Sequence, residues 1–374
     1  MTPRSTVLSP ADKLDWVRLI RSENVGPVTF RELVARFGTA TAALEALPEL
    51  ARKGGRRNGL LIPSRAEAER ELAAIAKAGA RLVALAEAEY PPLLAEVEAP
   101  PPLISMKGDP ALLGRPTVAI VGARNASAAG VRFARDLARD LGGRGITVVS
   151  GLARGIDGAA HEGSLPTGTA AVLAGGIDVV YPPEHKALQE RVGAEGVLVA
   201  EMPVGTIPQA RSFPRRNRIV AGLSLGVVVV EAALKSGSLI TARMAGEHGR
   251  EVMAVPGSPL DPRCRGANDL IRNGAVLVES IDDVIDALPP SMAPSFGERH
   301  TEHGLEGYPT MPASEAELDL ARARIEALLG PTPVDIDELV RQADLTPPVV
   351  LTILLELELA GRLVRHAGNR VAWA

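Results

Sequence analysis

The sequence has a single cysteine, few aromatic residues and no long apolar segment. Cys264 has no second cysteine to pair with, so the chain cannot form an internal disulfide. The longest apolar run, residues 225–234, is interrupted by Glu231 and is much shorter than the ~20 residues that a membrane-spanning helix needs. Residues 1–13 contain no apolar stretch long enough for a secretory signal. We therefore expect a cytoplasmic protein without a membrane segment.

Charged residues are distributed unevenly along the 374 residues. The formal net charge is -4, but residues 115–275 hold 19 basic and 14 acidic side chains, a net charge of +5. The remaining residues hold 22 basic and 31 acidic side chains, a net charge of -9. A basic centre attracts polyanionic ligands such as phosphate chains, although a solvated surface without a partner has the same composition.

Short apolar runs alternate with helical patterns between residues 117 and 288, which indicates βα units and a parallel sheet. We predict an α/β fold, an extended Rossmann-like doubly wound parallel sheet. Ligands of such sheets bind outside the carboxyl ends of the strands, where loop amides and helix N-termini converge. Five apolar runs end at or beside a glycine or a small polar residue: 117–121, 146–149, 170–174, 226–230 and 252–256. Two further runs, 197–200 and 275–278, bring the number of predicted strands to about seven.

Four segments follow one another in this interpretation. They are an N-terminal helical domain of the SAM or helix-hairpin-helix kind (1–88), the Rossmann-like domain (89–288), a proline-rich linker (289–314) and a winged-helix-like domain (315–374). The last domain combines three predicted helices, 315–329, 336–343 and 347–360, with two short strands, 362–364 and 370–373.

Both terminal domains have possible nucleic-acid-binding elements. The turn Asn24-Val25-Gly26-Pro27 is similar to that of a helix-hairpin-helix, whose amides bind a nucleic-acid backbone, although a plain structural bundle is the alternative. Residues 347–360 would form the helix that enters a major groove, but they contain no Lys or Arg and carry Glu356 and Glu358. Such a helix cannot offset phosphate repulsion, so we favour a packing or protein-interaction role.

The first candidate binding segment is the strand end Gly122-Ala123-Arg124. It lacks the G-x-G-x-x-G pattern, because Arg124 stands where a second glycine would let the backbone approach a pyrophosphate. An arginine at the carboxyl end of a strand favours a charge-assisted contact to a phosphate, with a surface salt bridge as the alternative.

The loop after the next strand run begins at Ser150 and reads Ser-Gly-Leu-Ala-Arg-Gly-Ile-Asp. Its two glycines allow the loop amides to turn towards a ligand. Asp157 and His161 share one helix face, a spacing that also occurs in acid–base pairs and metal sites, but no third ligand is evident. We expect these two to hold the loop by hydrogen bonds while Ser150, Gly151 and Arg154 meet the ligand.

Four arginines surround Phe213 within residues 211–218. A base stacked on this ring, with arginines along the backbone, would hold a single strand without reading its sequence. A buried phenylalanine with structural arginines is the alternative. We expect Asn217 to be internal.

Residues 235–241, Lys-Ser-Gly-Ser-Leu-Ile-Thr, place small hydroxyls and a glycine at a helix N-terminus, which is an anion seat. They do not form a Walker loop, so nucleotide hydrolysis has no support here.

Taken together, these segments resemble the DNA-processing protein A family (DprA, also called Smf). The resemblance implies a Rossmann-like domain that binds single-stranded DNA, forms a homodimer and passes the strand to the RecA recombinase during natural transformation, without catalysis, cofactor or metal. Five motifs agree in order: 122–124, 150–157 with His161, 213–218, 236–241, and 256–257 with 266–268.

The family's DNA contacts fall on Gly122, Arg124, the 150–155 loop and Phe213. Members often carry a lysine shortly before this phenylalanine, and since Ala210 stands three positions ahead of it here, Arg211 is expected to substitute. The predicted DNA-binding residues are Gly122, Arg124, Ser150, Gly151, Arg154, Gly155, Arg211, Phe213, Arg216, Lys235, Gly237 and Ser238, with Asp157, His161 and Asn217 as structural support.

Two rival functions remain open at this stage. One is a nucleotide-processing enzyme similar to the LOG-type phosphoribohydrolases, but those carry a Pro-Gly-Gly-x-Gly-Thr loop where this chain has Ser-Gly-Ser-Leu-Ile-Thr. Without a poised carboxylate, a glycosidic bond has no acid or base to break it. The other is a duplex-DNA regulator that uses the winged helix.

Overall fold

The computed structural model describes residues 8–289, 315–366 and 368–374. They form two compact units, residues 8–69 with 315–374 and residues 70–289. The predicted linker lies outside the described residues, except for Pro289. In these ranges, no helix combines the length and the apolar character that crossing a bilayer requires.

The chain alternates helices and strands through its centre. The helices are α1 (Pro10–Arg21), α2 (Pro27–Phe37), α3 (Ala40–Lys53), α4 (Arg65–Lys77), α5 (Pro92–Ala95), α6 (Ala128–Gly143), α7 (Ile156–Ser164), α8 (Lys186–Glu195), α9 (Ser212–Gly222), α10 (Gly237–Glu247), α11 (Arg265–Arg272), α12 (Ile281–Ala287), α13 (Glu315–Leu328), α14 (Ile336–Ala343) and α15 (Pro347–Leu359). The strands are β1 (Arg81–Ala84), β2 (Leu103–Gly108), β3 (Thr117–Gly122), β4 (Thr147–Ser150), β5 (Thr169–Gly176), β6 (Val197–Met202), β7 (Gly226–Val230), β8 (Glu251–Ala254), β9 (Val276–Leu277), β10 (Val334–Asp335), β11 (Leu363–His366) and β12 (Arg370–Trp373).

One nine-stranded sheet organises residues 70–289, in the order β1-β2-β6-β5-β4-β3-β7-β8-β9. Strands β3 to β9 run parallel to one another. From β3 the chain proceeds through β4 and β5 to β6 on one side, and then returns to β7, β8 and β9 on the other. The predicted doubly wound sheet is confirmed, with a change of direction between β3 and β7.

Helices cover both faces of this sheet, and the period of two along each strand decides which side chain meets which face. In β3, Ala119 and Val121 lie in the core on one face, and Val118 and Ile120 lie in the core on the other. Because both faces are buried, the strands have continuous apolar sequences, which is why the pattern identified them.

Two of the nine strands, β1 and β2, are absent from the sequence-based prediction. They extend the sheet in an antiparallel sense, with Leu82 opposite Ser105 and Ser105 opposite Ala200. The three prolines at 100–102 precede β2 and indicate a turn, and β1 has only four residues. Pairing with β6 stabilises these short segments as strands, and local sequence cannot show such pairing.

The other unit combines the N-terminal helices with the C-terminal winged helix. Helix α15 contributes to two cores, since Leu355 and Leu359 pack among α1, α2 and α3 while Ile353 and Leu354 pack among α13, α14 and the small sheet. The small sheet has the order β10-β12-β11. Every residue from Pro348 to Leu359 is buried or half-buried, so the helix that would have to enter a major groove is enclosed within this unit.

Candidate nucleic-acid interface

A cleft of ≈ 190 Å³ opens where β3, β4 and β5 end. Its walls come from Arg124 after β3, the loop 151–154 after β4, Leu173 and Ala174 of β5, residues 181–184, and Phe213 and Arg216 of α9. The carboxyl ends of neighbouring parallel strands meet at one edge of the sheet, which brings together segments that are up to 92 residues apart in the chain.

Arg124 and two aromatic rings form the mouth of this cleft. The guanidinium carbon of Arg124 lies 5.0 Å from the centroid of the Phe213 ring, a cation–π contact. The ring of Tyr181 lies 5.5 Å from that of Phe213 at an angle of 50°. Arg124 is exposed and makes no ion pair with any other residue that the structure describes. Its charge is therefore available to a ligand.

The loop between β4 and α7 is held in place by Asp157. One carboxylate oxygen of this residue accepts hydrogen bonds from the backbone N–H of Gly151 at 3.2 Å and of Ala153 at 3.3 Å. Burial raises the pKa of the Asp157 carboxyl, and the charge of Arg216 together with these two amides acts against the increase. The carboxylate thus orients the loop from below without facing solvent.

Two glycines of this region permit close backbone approaches. Gly155 has a φ of 74°, and a Cβ there would lie 2.7 Å from the carbonyl oxygen of Arg124. A Cβ on Gly122 would overlap the carbonyl of Val230 in the adjacent strand. Neither glycine has a side chain to offer a ligand. Gly122 lets β3 lie close to β7, and Gly155 lets the start of α7 lie close to the loop after β3.

Arg216 lies inside the fold with 6% of its surface exposed. One guanidinium nitrogen donates to the carbonyl oxygens of Gly151, which follows β4, and of Val172, within β5, the second bond being 3.0 Å long. Nε donates to Asn217 at 3.1 Å. Burial lowers the pKa of this guanidinium, and the negative charge of Asp157 opposes the decrease. The predicted DNA-binding Arg216 therefore cross-links the floor of the cleft.

Ser150 does not reach the cleft surface. Its hydroxyl is fully buried and donates to the carbonyl oxygen of Ile120 at 2.6 Å, which joins β4 to β3. The neighbouring Arg154, by contrast, is 60% exposed on the cleft wall, and its Nε lies 3.5 Å from Glu184. Of the loop residues, the structure brings Gly151 and Arg154 to the cleft and keeps Ser150 beneath it.

His161 is completely buried and neutral. Burial lowers its pKa to about 3, and electrostatic interactions with His185 and Arg216 act in the same direction. Nδ1 lies 2.9 Å from the hydroxyl of Thr169, which itself donates to Val148, so we assign the proton to Nδ1. Across the described ranges, no three His, Cys, Asp or Glu side chains are placed to hold a metal ion.

A second group of predicted residues lies at the start of α10. Ser236 caps the helix by accepting a hydrogen bond from Ser238 N, and the two hydroxyls are 2.7 Å apart. The amide of Asn217 donates to the carbonyl of Gly237 at 3.2 Å, which ties α9 to this helix. Lys235, Gly237 and Arg211 are exposed. Asn217 is thus the link between the cleft and the second group.

The start of α6, beside the switch between β3 and β7, is occupied by a carboxylate of the chain itself. Glu231 follows β7 with a φ of 52° and accepts hydrogen bonds from the backbone N–H and the hydroxyl of Ser127. A Cβ on Gly130 would lie 2.7 Å from Cδ of this carboxylate, so a larger residue there would displace it.

Several residues that line the cleft were not among the predicted site residues, and they include Tyr181, Glu184 and Leu152. Tyr181 is one of only three tyrosines in the chain and precedes two prolines, and this rarity could have marked it as a candidate site residue. Glu184 and Leu152 carry no such signal. Only the folding of the 177–185 segment over β5 brings Tyr181 and Glu184 to Phe213 and Arg154.

The winged helix does not present its acidic helix to solvent. Glu356, 2% exposed, pairs with Arg322 at 2.6 Å, and Glu358 pairs with Arg365 at 2.9 Å. Arg365 also pairs with Glu32 of α2 at 2.9 Å. Glu356 and Glu358, which would repel phosphates if this helix entered a groove, are ion-pair partners inside the unit.

Comparisons with known proteins agree with this architecture. The family model "DNA recombination-mediator protein A" matches residues 81–289, "DprA-like N-terminal HHH domain" matches 10–74 and "DprA winged helix domain" matches 309–369. Protein Smf of Escherichia coli (strain K12) is 39% identical over 263 residues, which cover 68% of this chain and 67% of that protein.

Two further relatives are similar to 59% and 74% of this chain. DNA processing protein DprA of Bacillus subtilis (strain 168) is 42% identical over 223 residues, 59% of this chain and 75% of that protein. The X-ray structure of DNA processing protein A from Streptococcus pneumoniae has 35% sequence identity and a TM-score of 0.61, and the match covers 74% of this chain and 96% of that one.

Proposed function

Because the chain belongs to the DNA recombination-mediator protein A family, we propose that its cleft binds single-stranded DNA, independently of sequence and without chemical change to the strand. The observation that carries the proposal is the stack of Arg124 on Phe213 beside Tyr181, at the edge of the sheet where the strands end. It combines a free cation with an aromatic surface, the two groups that unpaired nucleotides require.

The aromatic pair supplies a platform for a base. Phe213 is half-buried, and the Arg124 guanidinium lies over its ring. A base that stacks on this ring takes the position of the guanidinium, which then moves to the adjoining phosphate. Since every base has an aromatic face, such a contact discriminates little among sequences.

Phosphates next to the stacked base meet cations on both sides. Arg154 lies on the cleft wall, and the exposed Arg211 and Lys235 border α9 and α10. Between them, Asn217 joins α9 to the first turn of α10, where backbone amides and the Ser236 and Ser238 hydroxyls provide a further anion seat. We take the cleft and this seat as successive contacts of one strand.

The geometry gives little support to the rival hydrolase. Among the described residues that line the cleft, Glu184 is the one carboxylate, and it is half exposed and lies 3.5 Å from Arg154 Nε. The carboxylate after β7, Glu231, is committed to the start of α6. A general acid or base would need a shielded carboxylate directed at the ligand.

Duplex recognition by the winged helix is likewise disfavoured. Helix α15 is enclosed within its unit, and its two glutamates are paired. Reading a major groove requires an exposed helix that carries cations or amides.

The family description, a recombination mediator, supports a role after binding. We propose that the chain acts as a homodimer, protects incoming single strands and passes them to the RecA recombinase during natural transformation. Light scattering of the purified chain tests the dimer, and the rate at which RecA covers a strand that carries single-strand binding protein tests the transfer.

The binding proposal itself is tested by fluorescence anisotropy with labelled homopolymer single strands and with a duplex of equal length. We expect single strands of each base to bind with similar affinity and the duplex to bind more weakly. Chromatography of nucleoside monophosphates incubated with the protein accompanies the titration. Equal binding of duplex, or release of a free base, would overturn the proposal.

A further inference from the structure

Tyr181 is the most exposed aromatic residue in the described part of the chain, with 41% of its surface accessible. Single apolar side chains are common on protein surfaces and need no explanation by themselves. This ring, however, lines the cleft and lies 5.5 Å from that of Phe213. Its exposure therefore adds an open aromatic surface to the place where the chain already has a ring and a cation.

The segment that carries Tyr181 is fixed on both sides of the ring. Before it, the side-chain amide of Gln189 in α8 donates to the carbonyl oxygen of Val179 at 3.1 Å. After it, Nδ1 of His185 lies 3.0 Å from the carbonyl oxygen of Leu152 in the loop that follows β4. The ring is thus held at the cleft before a ligand binds, and less conformational entropy is lost when a base contacts it.

Each of the two rings has an arginine near it. The guanidinium carbon of Arg124 lies 5.0 Å from the centroid of the Phe213 ring. Arg154 lines the same cleft, and its Nε lies 3.5 Å from Glu184, three residues after Tyr181. The Arg154 and Glu184 side chains are 60% and 50% exposed, so a phosphate can replace the carboxylate at little cost. The cleft therefore has a ring and a cation for each of two nucleotides.

The inclination of the rings determines which kind of strand can use both. The planes of Tyr181 and Phe213 differ by 50°, so a base stacked on one ring is not parallel to a base stacked on the other. Successive bases of a duplex are stacked on each other and paired, and turning one away costs both interactions. An unpaired strand loses only the stacking between the two bases. Contact with both rings consequently favours a single strand.

We propose that Tyr181 is a second base-stacking residue of the cleft and increases its preference for single strands over duplex. This inference rests on the proposed function, because it requires a single strand in the cleft with one base on Phe213. Phe213 and Arg124 hold one nucleotide, and Tyr181 and Arg154 hold the next. The ligand is a dinucleotide step of an unpaired strand whose two bases are turned apart.

Fluorescence anisotropy of the full chain, with a labelled thymidine homopolymer and a duplex of equal length, tests the effect on affinity. Tyr181→Ala should weaken single-strand binding about tenfold, because one stacked base loses its platform, and should leave duplex binding unchanged. Tyr181→Phe keeps the aromatic face and should retain most of the affinity. Leu260→Ala removes an 89% exposed apolar side chain of the same compact unit and should change neither affinity.

Photo-crosslinking separates a direct contact with the base from support of the neighbouring ring. Illumination of a bound strand of iododeoxyuridine joins its bases to aromatic rings stacked on them, and peptide mapping identifies those rings. We expect crosslinks at Tyr181 and at Phe213, and none at Tyr90, which is 4% exposed. In the Phe213→Ala variant the crosslink at Tyr181 should persist, since the base on this ring belongs to a different nucleotide.

The outcomes distinguish this inference from the function on which it rests. Crosslinks at Phe213 but not at Tyr181, or an unchanged single-strand affinity of Tyr181→Ala, would end the role of Tyr181 and leave the single-strand site in place. An equal loss of single-strand and duplex affinity in Tyr181→Ala would contradict its part in the preference. If the unaltered chain binds duplex as tightly as single strands, the proposed function fails and this role fails with it.

Discussion

The carboxylate of Glu231 accepts a hydrogen bond from the backbone N–H of Ser127 at 2.8 Å, at the first turn of α6. In doubly wound sheets, this turn beside the change of strand direction is where the phosphates of a dinucleotide lie. Here a side chain of the protein supplies the negative charge, and Gly130 leaves room for it. The candidate ligand cleft accordingly lies next to this position, over β3, β4 and β5.

Replacing Arg124 with alanine should weaken single-strand binding and reduce its salt dependence. One phosphate contact fewer lowers the log–log salt slope by about 0.7, because one less counterion equivalent is released. The measurement is a binding titration across salt concentrations. Arg139→Ala, an exposed arginine of α6 paired with Asp136, is the control and should leave the slope unchanged. An unaltered slope in the Arg124 variant would place the phosphate contact elsewhere.

Phe213→Ala should cost about 1–3 kcal/mol of single-strand binding free energy, since a stacked base loses its platform. Phe213→Tyr keeps the aromatic face and should retain most of the affinity. Thermal unfolding of both variants checks that the half-buried side chain is not needed for folding. If alanine binds as tightly as tyrosine, the ring has only a packing role.

Arg216→Ala should destabilise the fold by about 1–3 kcal/mol for each backbone carbonyl that loses its donor, those of Gly151 and Val172. The buried carboxyl of Asp157 also loses the positive charge that acts against the burial-induced rise of its pKa. Urea unfolding measures the change. Arg215→Ala, the neighbouring arginine with 51% exposure, should cost far less. The double variant with Asp157→Asn should lose less stability than the sum of the single ones. Strict additivity would show that the pair does not interact.

Acidification should destabilise the chain through His161. Its pKa is about 3 when folded and about 6.5 when unfolded, so between these values the unfolded chain binds the additional proton. The free energy of unfolding therefore decreases by up to about 1.4 kcal/mol for each unit by which the pH is lowered in this range. Burial raises the pKa of Asp157, so just above the ordinary pKa of an aspartate the folded chain binds the additional proton. In that range Asp157 makes the protein more stable as the pH is lowered.

Unfolding by urea at about pH 7 and about pH 5 measures this dependence. His161→Asn keeps a donor for Thr169 but does not titrate, so its stability should change less over that range. An equal dependence in both proteins would assign the effect to other groups.

Gly54→Ala should destabilise the helical unit by about 1–3 kcal/mol, because the added Cβ overlaps the carbonyl oxygen of Glu356 and forces α3 away from α15. Calorimetric unfolding of the full chain provides the measurement. Gly59→Ala lies in the same unit with open space around its Cβ and should be close to neutral. Equal transitions in the two variants would argue against tight packing of α3 on α15.

Much of the sheet could be predicted because its strands are buried on both faces and therefore carry continuous apolar runs. The segments around Arg124, Gly151 and Arg154 were recognised as loops at strand ends, and Phe213 by the four arginines around it, and the structure brings these four residues to one cleft. The strands β1 and β2 escaped prediction because their partner strand, β6, lies far away in sequence.

The direction in which each polar side chain points was not readable from the chain. Ser150 and Arg216 belong to motifs that suggest ligand contact, yet both side chains donate to backbone carbonyls inside the sheet, Ser150 to Ile120 of β3 and Arg216 to Val172 of β5. Tyr181 and Glu184 also reach the cleft, although neither was among the predicted site residues. Hydrogen-bond partners depend on which backbone groups remain unpaired after folding, and a linear pattern does not contain that information.

Residue order alone was thus sufficient for the layered α/β core, the glycine-rich strand ends and the family, since apolar periodicity and turn chemistry are local properties. Packing between distant segments decided the rest: that Glu231 fills the start of α6, that Arg216 braces the cleft from within, and that α15 is enclosed by the N-terminal helices. Each of these depends on groups that meet only in three dimensions, where burial and unpaired hydrogen-bonding atoms determine which contact is favourable.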